Sequence, residues 1–464
     1  MDKGKILFPF TVIVLGLFYM TVLTPFSAPD ESVHFVSAYR LSSQLMGKQA
    51  VADESFLANA DEDEKERIRR GANVLVREGD DAGGLYTGVG QATYNFVFTE
   101  MFSRDRSQEM TVRYEAPVNT NPVVYLPQAL GITLARALGL GYIPLVYLGR
   151  LFNLLAFTAM AALAAELMPF KKEVIMALSC LPMTLHLAAS FSYDAEFIGL
   201  SMVLLAWCFH LAYEKKEVTV KDTVLLALLL ILLEPGKIAY LPVAGISLLI
   251  PSAKFQTKKR YWISVASVLT AMVLAVFLVN RIVLSAWATT TESYVGWSEA
   301  AGYTLQDAFQ HPYTVFMVYY ETIVTQLDYY LVTMLGGFLG NLDPNLTVPP
   351  FCLMILWYVL FVSALRREGE PAPVTGGKKL WILILVLLSG FLVLTSMLLG
   401  WTPRNLTYIT GVQGRYFIPL LPLLLLTLSD KRLTIDLRKS AWYLECFVSI
   451  YALIRICSTS CLRY

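Results

Sequence analysis

The segment that decides the fold is "ILFPFTVIVLGLFYMTVL", residues Ile6–Leu23, which is followed at once by "TPFSAPDESVHF", residues Thr24–Phe35. These eighteen uncharged residues predict a helix of about 27 Å, close to the thickness of a bilayer's hydrocarbon core. The chain then places Asp30, Glu31 and His34 directly at the predicted lipid boundary. A carboxylate at that boundary is partly desolvated, so its presence there calls for a functional or structural reason.

The composition is that of a polytopic membrane protein. Of the 464 residues, 56% are hydrophobic and only 16% are charged, whereas soluble chains carry about 25% charged residues. The 37 basic and 36 acidic side chains leave a net charge of +1, so no overall field favours nucleic acid as a partner. The six cysteines show neither the spacing of a disulfide framework nor that of a zinc site.

Apolar runs long enough to satisfy their own backbone in lipid predict eleven membrane-spanning helices. The Lys and Arg residues at their ends fall on one face, which the positive-inside rule makes cytoplasmic together with the N-terminus. The predicted spans are Ile6–Leu23, Leu145–Met168, Val174–Ser190, Ala195–Tyr213, Thr223–Leu233, Ile238–Ile250, Trp262–Val283, Phe351–Leu365, Leu380–Leu399, Tyr416–Leu428 and Ala441–Ile456.

This arrangement divides the chain into five parts, and it predicts an all-α membrane bundle with a large mixed α/β first extracytoplasmic loop. Within that loop, "DESFLANADEDEKERIRR" predicts a solvated helix, while "GLYTGVGQATYNFVF" and "MTVRYEAPVNT" predict short strands. "NPVVYLPQALGITLARALGLGY" predicts a juxtamembrane helix. The parts are the first transmembrane helix (1–25), extracytoplasmic loop 1 with juxtamembrane helices (26–143), transmembrane helices two to seven (144–284), a second long extracytoplasmic loop (285–350) and the C-terminal transmembrane helices (351–464).

Polar residues collect on the predicted outer face. Asp30 and Glu31 fit the start of a helix, where acids and Pro are favoured, but capping does not explain the imidazole one turn later. Asp194 either begins the following span or takes part in a site. Lys and Arg side chains at a membrane interface often only extend out of the lipid toward water. Acids and cations together at this depth nevertheless favour a site that acts on an anionic lipid. The cations on that face are Lys237, Arg404 and Arg415.

Five motifs occur in an order and spacing that resemble the DUF2142 family of bacterial membrane proteins, which in turn look like GT-C fold glycosyltransferases. The resemblance covers most of the chain, and its two ends are the most specific. It implies a GT-C-like core of seven spans, with long outer loops after the first and the seventh. The motifs are "PDESVHFVSAYR", "NPVVYLPQALG", "SFSYDAEF", "GKIAYLP" and "GVQGRYFIPLLPLLLL".

The resemblance also implies a chemistry. In GT-C enzymes the acid immediately after the first span is typically the catalytic base, and the donor is typically a polyprenyl-phosphate sugar that enters from the lipid. Carried over to this chain, Asp30 takes the proton of an acceptor hydroxyl, and the anomeric centre is inverted. Glu31 orients the acceptor or replaces Asp30 as the base.

Negative charge grows on the lipid phosphate as the glycosidic bond breaks, so cations are expected around it. Arg415 is the preferred bidentate phosphate ligand, with Lys237, Arg404 and His34 as further candidates. Some GT-C enzymes hold a divalent metal between acids, but the candidate acids Asp30, Glu31 and Asp194 form no local D-x-D pair, and we expect no metal or other cofactor. The expected substrate-binding residues are Asp194, Tyr193, Tyr416 and Gln413.

The expected function is therefore glycosyl transfer in a bacterial plasma membrane, from a polyprenyl-phosphate sugar to an extracytoplasmic glycan or lipid-linked acceptor. One alternative is a polymerase or ligase of lipid-linked glycans, which uses the same chemistry on a longer donor. A second alternative is a transporter or flippase for lipid-linked saccharide. Such a transporter typically has related halves and broken helices.

Overall fold

The computed structural model describes residues 3–56, 58, 60–69, 73–77, 93–102, 110–113, 117–118, 120–233, 237–289, 293–365, 374–430 and 438–459. This part of the chain is mostly helical and contains two antiparallel two-stranded sheets. The prediction of a helical fold class is confirmed.

The first half contains α1 (Lys3–Val22), α2 (Glu31–Leu45), α3 (Glu62–Arg69), β1 (Val74–Arg77), α4 (Tyr94–Glu100), β2 (Met110–Arg113), a 3₁₀ turn (Pro122–Tyr125), α5 (Leu126–Ala137), α6 (Tyr142–Leu167), α7 (Lys172–Cys180), α8 (Pro182–Ala188), α9 (Asp194–Phe209), a π turn (His210–Glu214) and α10 (Val220–Leu233). The second half contains 3₁₀ segments (Ile238–Leu249 and Ser252–Lys254), α11 (Lys258–Thr289), β3 (Ser293–Val295), a 3₁₀ turn (Gly296–Ser298), β4 (Ala300–Gly302), α12 (Leu305–Gln310), α13 (Pro312–Leu335), α14 (Pro350–Ala364), α15 (Gly377–Trp401), a 3₁₀ segment (Gly414–Leu420), α16 (Leu421–Thr427) and α17 (Arg438–Thr459).

Five helices of the described chain are long and apolar enough to cross a membrane. They support a membrane location, and four shorter apolar helices accompany them. The count of eleven spans stays a prediction. The five are Tyr142–Leu167, Asp194–Glu214, Lys258–Arg281, Gly377–Trp401 and Ala441–Ser458, and the shorter helices are Ile6–Val22, Ile238–Leu249, Pro350–Ala364 and Gly414–Thr427.

The predicted span Val174–Ser190 is broken in two. Helix α7 ends at Cys180, and α8 begins at Pro182. Leu181 between them is extended, with φ −60° and ψ 140°. Proline has no N–H to donate to the preceding turn, and it disfavours the helical conformation of the residue before it. Pro182 therefore interrupts the helix inside the apolar run.

Helix α13 lies where the sequence predicted a second long loop. Its 24 residues end at Leu335, and Gly336, which follows with a φ of 94°, closes the helix in the left-handed conformation. The sequence prediction missed this helix because Glu321, Asp328 and several tyrosines interrupt the apolar pattern that marks a span.

The region between α2 and α5 matches the prediction in part. Helix Glu62–Arg69 and strand Met110–Arg113 are confirmed, and β2 pairs antiparallel with β1. The strand predicted over "GLYTGVGQATYNFVF" is wrong where it is described, because Tyr94–Glu100 is a helix. Thr93 caps that helix by accepting a hydrogen bond from the Phe96 N–H at 3.2 Å. Residues 84–92 lie outside the described part.

Five packed elements bring the chemically interesting residues together. Helix α5 packs between α2 and α6, and α9 packs against α6 and against the 3₁₀ segment Gly414–Leu420. With only 12 residues, α5 is too short to span a bilayer. Helices α5 and α6 cross closely, because a Cβ atom on Gly131 would lie 2.4 Å from the Leu148 carbonyl oxygen.

Candidate functional site

Asp30 stands directly before α2 in the left-handed conformation, with φ 58° and ψ 17°. That conformation costs a non-glycine residue about 1–2 kcal/mol, although Asp tolerates it better than most. The Asp30 side chain makes no capping hydrogen bond to α2. Its Oδ2 instead accepts a hydrogen bond from Nη2 of Arg415 at 2.6 Å, while 59% of the side chain stays exposed. Helix capping therefore does not account for Asp30.

Arg415 is only 2% exposed, and its position depends on the preceding glycine. A Cβ atom on Gly414 would lie 2.1 Å from the Tyr330 carbonyl oxygen of α13, so only glycine fits there. The Gly414 N–H donates to the Thr333 hydroxyl at 2.9 Å, which fixes the segment to α13. Arg415 Nη1 donates to the Pro29 carbonyl oxygen at 3.3 Å. The "QGRYF" segment thus holds the guanidinium against the turn that precedes α2.

Asp194 and Lys237 extend this contact into a network of four charges. Nε of Arg415 lies 3.4 Å from Oδ2 of Asp194, and Oδ1 of Asp194 pairs with the Lys237 ammonium. Asp30, Arg415, Asp194 and Lys237, here called the ion network, alternate in sign and balance one another. Burial lowers the pKa of Lys237, and the Asp194 carboxylate opposes that effect. Such pairing is what makes charges tolerable at a buried position.

His34 lies beside the ion network as a neutral imidazole. It is 2% exposed, and its Nδ1 is 2.7 Å from the Tyr125 hydroxyl. Its ring centre lies 4.6 Å from that of Tyr193. Burial lowers the pKa of His34 to about 4, although Asp194 and Asp30 pull in the opposite direction. His34 therefore offers a hydrogen bond, but no positive charge, at neutral pH.

Three aromatic rings flank the Lys237 ammonium: those of Tyr193, Tyr416 and Phe197, the last at 5.5 Å. Its nitrogen lies 4.9 Å from the ring centre of Tyr193 and 4.7 Å from that of Tyr416, within cation–π range. Both tyrosines are half-buried, and the Tyr240 hydroxyl donates to the Tyr416 carbonyl oxygen at 2.8 Å. Within the described chain the buried Oε1 of Gln413 has no hydrogen-bond partner. These groups offer surfaces and an acceptor to a polar ligand.

Glu31 belongs to a different, fully enclosed contact. Its two oxygens accept from Nε and Nη2 of Arg150, both at 2.7 Å, and the two side chains are 0% and 1% exposed. The backbone N–H groups of Phe191 and Ala28 donate to the same carboxylate at 3.0 Å and 3.1 Å. Arg150 also donates to the Leu23 carbonyl oxygen at 2.8 Å. This geometry lets Glu31 tie α2 to α1 and α6 with its carboxylate enclosed by protein.

Arg404 also pairs outside the ion network. Its Nη2 lies 2.7 Å from Oδ2 of Asp307, which caps α12 together with Thr304. The Arg404 N–H donates to the Ala301 carbonyl oxygen of β4 at 2.8 Å. Arg404 therefore fastens the segment after α15 to the β3–β4 hairpin.

Of the residues selected from the sequence, the structure brings Asp30, Arg415, Asp194, Lys237 and their neighbours into one cluster. The sequence analysis did not select Arg150, although a charged residue inside a predicted span must find a partner. This requirement could have predicted from the sequence that Arg150 pairs with an acid such as Glu31. The neighbours in the cluster are His34, Tyr193 and Tyr416, Gln413 lies two residues before Arg415 in the chain, and the two residues held elsewhere are Glu31 and Arg404.

The cluster presents one exposed carboxylate next to a buried guanidinium and a partly exposed ammonium. Over the residues that the structure describes, no three His, Cys, Asp or Glu side chains gather in a way that holds a metal ion. An exposed carboxylate can accept a proton, and an ammonium with a guanidinium can stabilise an oxyanion. The arrangement is suited to moving a proton beside a negatively charged group.

Comparison with models of known protein families places the chain. No curated protein and no solved structure matches the chain. A family model described as "Predicted membrane protein (DUF2142)" matches residues 13–424, which include the whole ion network. The membrane location expected from composition agrees with this description. The chain therefore belongs to the DUF2142 family of predicted membrane proteins.

Proposed function

We propose that the protein is an inverting membrane glycosyltransferase that moves a sugar from a polyprenyl-phosphate donor to a glycan or lipid-linked acceptor. The observation that carries the proposal is the carboxylate of Asp30, 59% exposed and held in a strained backbone beside Arg415. Strained residues that the surrounding structure holds in place cluster at functional sites. The proposed setting is a GT-C-like bundle of eleven spans in a bacterial plasma membrane, with the N-terminus cytoplasmic and the site outside.

The proposed step moves one proton and breaks one glycosidic bond. An acceptor hydroxyl gives its proton to the Asp30 carboxylate, and its oxygen forms a bond to the anomeric carbon. The bond from that carbon to the phosphate oxygen breaks, and its electron pair stays on the phosphate. Attack from the opposite face inverts the anomeric centre. Asp30 then returns its proton to water.

Lys237 is the proposed phosphate ligand, with Arg415 in a supporting role. The Lys237 side chain is 17% exposed, whereas that of Arg415 is 2% exposed and already contacts two carboxylates. Arg415 thus orients Asp30 and shares only its remaining N–H groups with the phosphate. One well-placed charge of this kind contributes on the order of 2–4 kcal/mol to the transition state.

The neighbouring residues have supporting roles in the proposal. The half-buried rings of Tyr193 and Tyr416 stack on the sugar, as aromatic faces commonly do. His34 and Gln413 bind sugar hydroxyls through hydrogen bonds, because His34 is uncharged and Gln413 has a free acceptor. Glu31 positions the turn that carries Asp30.

The proposal is tested with purified protein in liposomes that contain radiolabelled polyprenyl-phosphate glucose, galactose or mannose, with extracted envelope lipids as acceptors. Label is expected to move from one of these donors to a new product, and Asp30→Asn is expected to stop this movement. Asp328→Asn, at an exposed aspartate of α13, is the matched control and should leave it unchanged. Movement of label that persists in Asp30→Asn contradicts the proposal.

Transport of a lipid-linked saccharide is the second candidate. It is favoured by the break between α7 and α8 inside an apolar run, and by the buried carboxyl of Glu445 within the candidate span Ala441–Ser458. Discontinuous helices and intramembrane acids are typical of transporters. The same liposomes decide between the two functions, because a transporter exposes the donor to the other leaflet without forming a new product.

A further inference from the structure

Glu445 is a buried acid that the proposed reaction does not use. It is 0% exposed, and neither of its carboxyl oxygens has a hydrogen-bond partner within the described chain. It lies on the face of α17 that packs inward, in line with Ala441, Val448 and Ala452, all at most 5% exposed. The carboxyl is about 10 Å along the axis from the first residue of α17. Glu445 thus points into the bundle within a candidate span.

Among the side chains that the structure describes, those that interact with Glu445 include no cation. The thiols of Cys180, at the end of α7, and Cys446 lie close enough to interact electrostatically with the carboxyl. On the other two packed helices, Tyr19 of α1 interacts with Cys180 and with Cys352 of α14. All of these groups are neutral at pH 7 in their ordinary state.

The break between α7 and α8 adds polar backbone to the same place. Because α7 stops at Cys180, the carbonyl groups of its last turn lack helical partners. The Cys180 carbonyl oxygen accepts a hydrogen bond from the Ser449 hydroxyl, one turn beyond Glu445, at 3.0 Å. The buried indole N–H of Trp442, one turn before Glu445, lies at the Cys180 thiol. Glu445 therefore lies among uncharged donors and acceptors at a helix break.

An ionised carboxylate in such a place is energetically prohibitive. A buried charge without a partner costs far more than a buried neutral group, and in practice the group takes up a proton instead. Intramembrane acids mark proton or ion sites for this reason. We propose that Glu445 is an intramembrane proton-binding carboxyl, placed at the break between α7 and α8, that keeps its proton at neutral pH. The site does not depend on the glycosyltransferase proposal.

The proposal is tested on the full chain in liposomes with dicyclohexylcarbodiimide, an apolar reagent that adds to protonated carboxyl groups in lipid. Mass spectrometry is expected to find the adduct on Glu445 at pH 7, and sodium ions are expected to leave its yield unchanged. The absence of an adduct on Glu445 overturns the proposal. A lower adduct yield in the presence of sodium ions also overturns it, because Glu445 then binds sodium rather than a proton.

A second measurement is independent of reagent access. The infrared spectrum at pH 7 is expected to lose protonated-carboxyl absorption in Glu445→Gln, because the amide replaces a neutral acid. Glu31→Gln is the matched comparison, since Glu31 faces Arg150 and contributes carboxylate absorption instead. Glu445→Gln is also expected to unfold at nearly the wild-type temperature. Loss of carboxylate rather than protonated-carboxyl absorption in Glu445→Gln contradicts the inference.

Discussion

Replacing Glu31 by glutamine removes one charge from a pair whose side chains are 0% and 1% exposed. Arg150 then keeps its hydrogen bonds to the carbonyl oxygens of Leu23 and Thr24, both at 2.8 Å, but loses its counter-charge. Breaking a buried pair in this way typically costs about 3–5 kcal/mol, because one buried charge is left unpaired. Because Arg150 keeps its hydrogen bonds to the two carbonyl oxygens, we expect a loss at the lower end of this range. A loss of about 3 kcal/mol in the free energy of unfolding is a roughly 150-fold change in the unfolding equilibrium.

This loss can be measured by denaturant unfolding of the purified protein in detergent, followed by tryptophan fluorescence. Glu217→Gln, at an exposed glutamate, is the control and is expected to stay within about 0.5 kcal/mol of the wild type. The double variant Glu31→Leu/Arg150→Met is expected to recover part of the lost stability, since no charge is left buried, but the N–H groups of Phe191 and Ala28 lose their acceptor. A loss below about 1 kcal/mol in Glu31→Gln would refute the assigned role of the pair.

Three further predictions concern the cluster around Asp30. Gly414→Ala is expected to destabilise the protein by about 1–3 kcal/mol and to lower the rate of transfer, because the new Cβ atom meets the Tyr330 carbonyl oxygen. Gly296→Ala is the control, since a Cβ atom there meets nothing within 4 Å. Thermal unfolding compares the stabilities of the two variants. Lys237→Met is expected to lower the transfer rate by about 10²- to 10³-fold, whereas Lys237→Arg is expected to stay partly active. Equal transfer rates in the wild type and both variants would exclude Lys237 as a phosphate ligand. The pKa of His34 is about 4 in the folded state and 6.5 in the unfolded state, so the unfolded state binds more protons between these two pH values. The free energy of unfolding is therefore expected to fall by about 3 kcal/mol as the pH drops from 7 to 4. In unfolding curves measured across this pH range, His34→Gln is expected to show a smaller fall.

The sequence predicted the membrane class and the main cluster because both depend on local signals. Apolar length marks a span, and Asp30, Asp194, Lys237 and Arg415 each stand next to an apolar run. Positive-inside orientation then brings such boundary residues to one side. The ion pairs that join them agree with that expectation.

Other features depend on contacts that sequence reasoning does not reach. Glu31 and Asp30 are adjacent and chemically alike, yet the left-handed turn at Asp30 points one carboxylate into the site and leaves the other against Arg150. Arg404 stands at the boundary of a predicted span, as Arg415 does, but Arg404 forms its ion pair with Asp307 on α12. Helix α13 is held by packing rather than by an unbroken apolar run, so its sequence did not indicate it.

The role of Asp30 is tested most directly by single-turnover transfer from a bound polyprenyl-phosphate sugar, with donor binding measured on the same samples. Asp30→Asn keeps the size of the side chain but removes its capacity to take a proton. The account predicts that Asp30→Asn binds the donor at near wild-type occupancy and transfers the sugar about 10²- to 10⁴-fold more slowly. A wild-type transfer rate in Asp30→Asn at equal donor occupancy would contradict it.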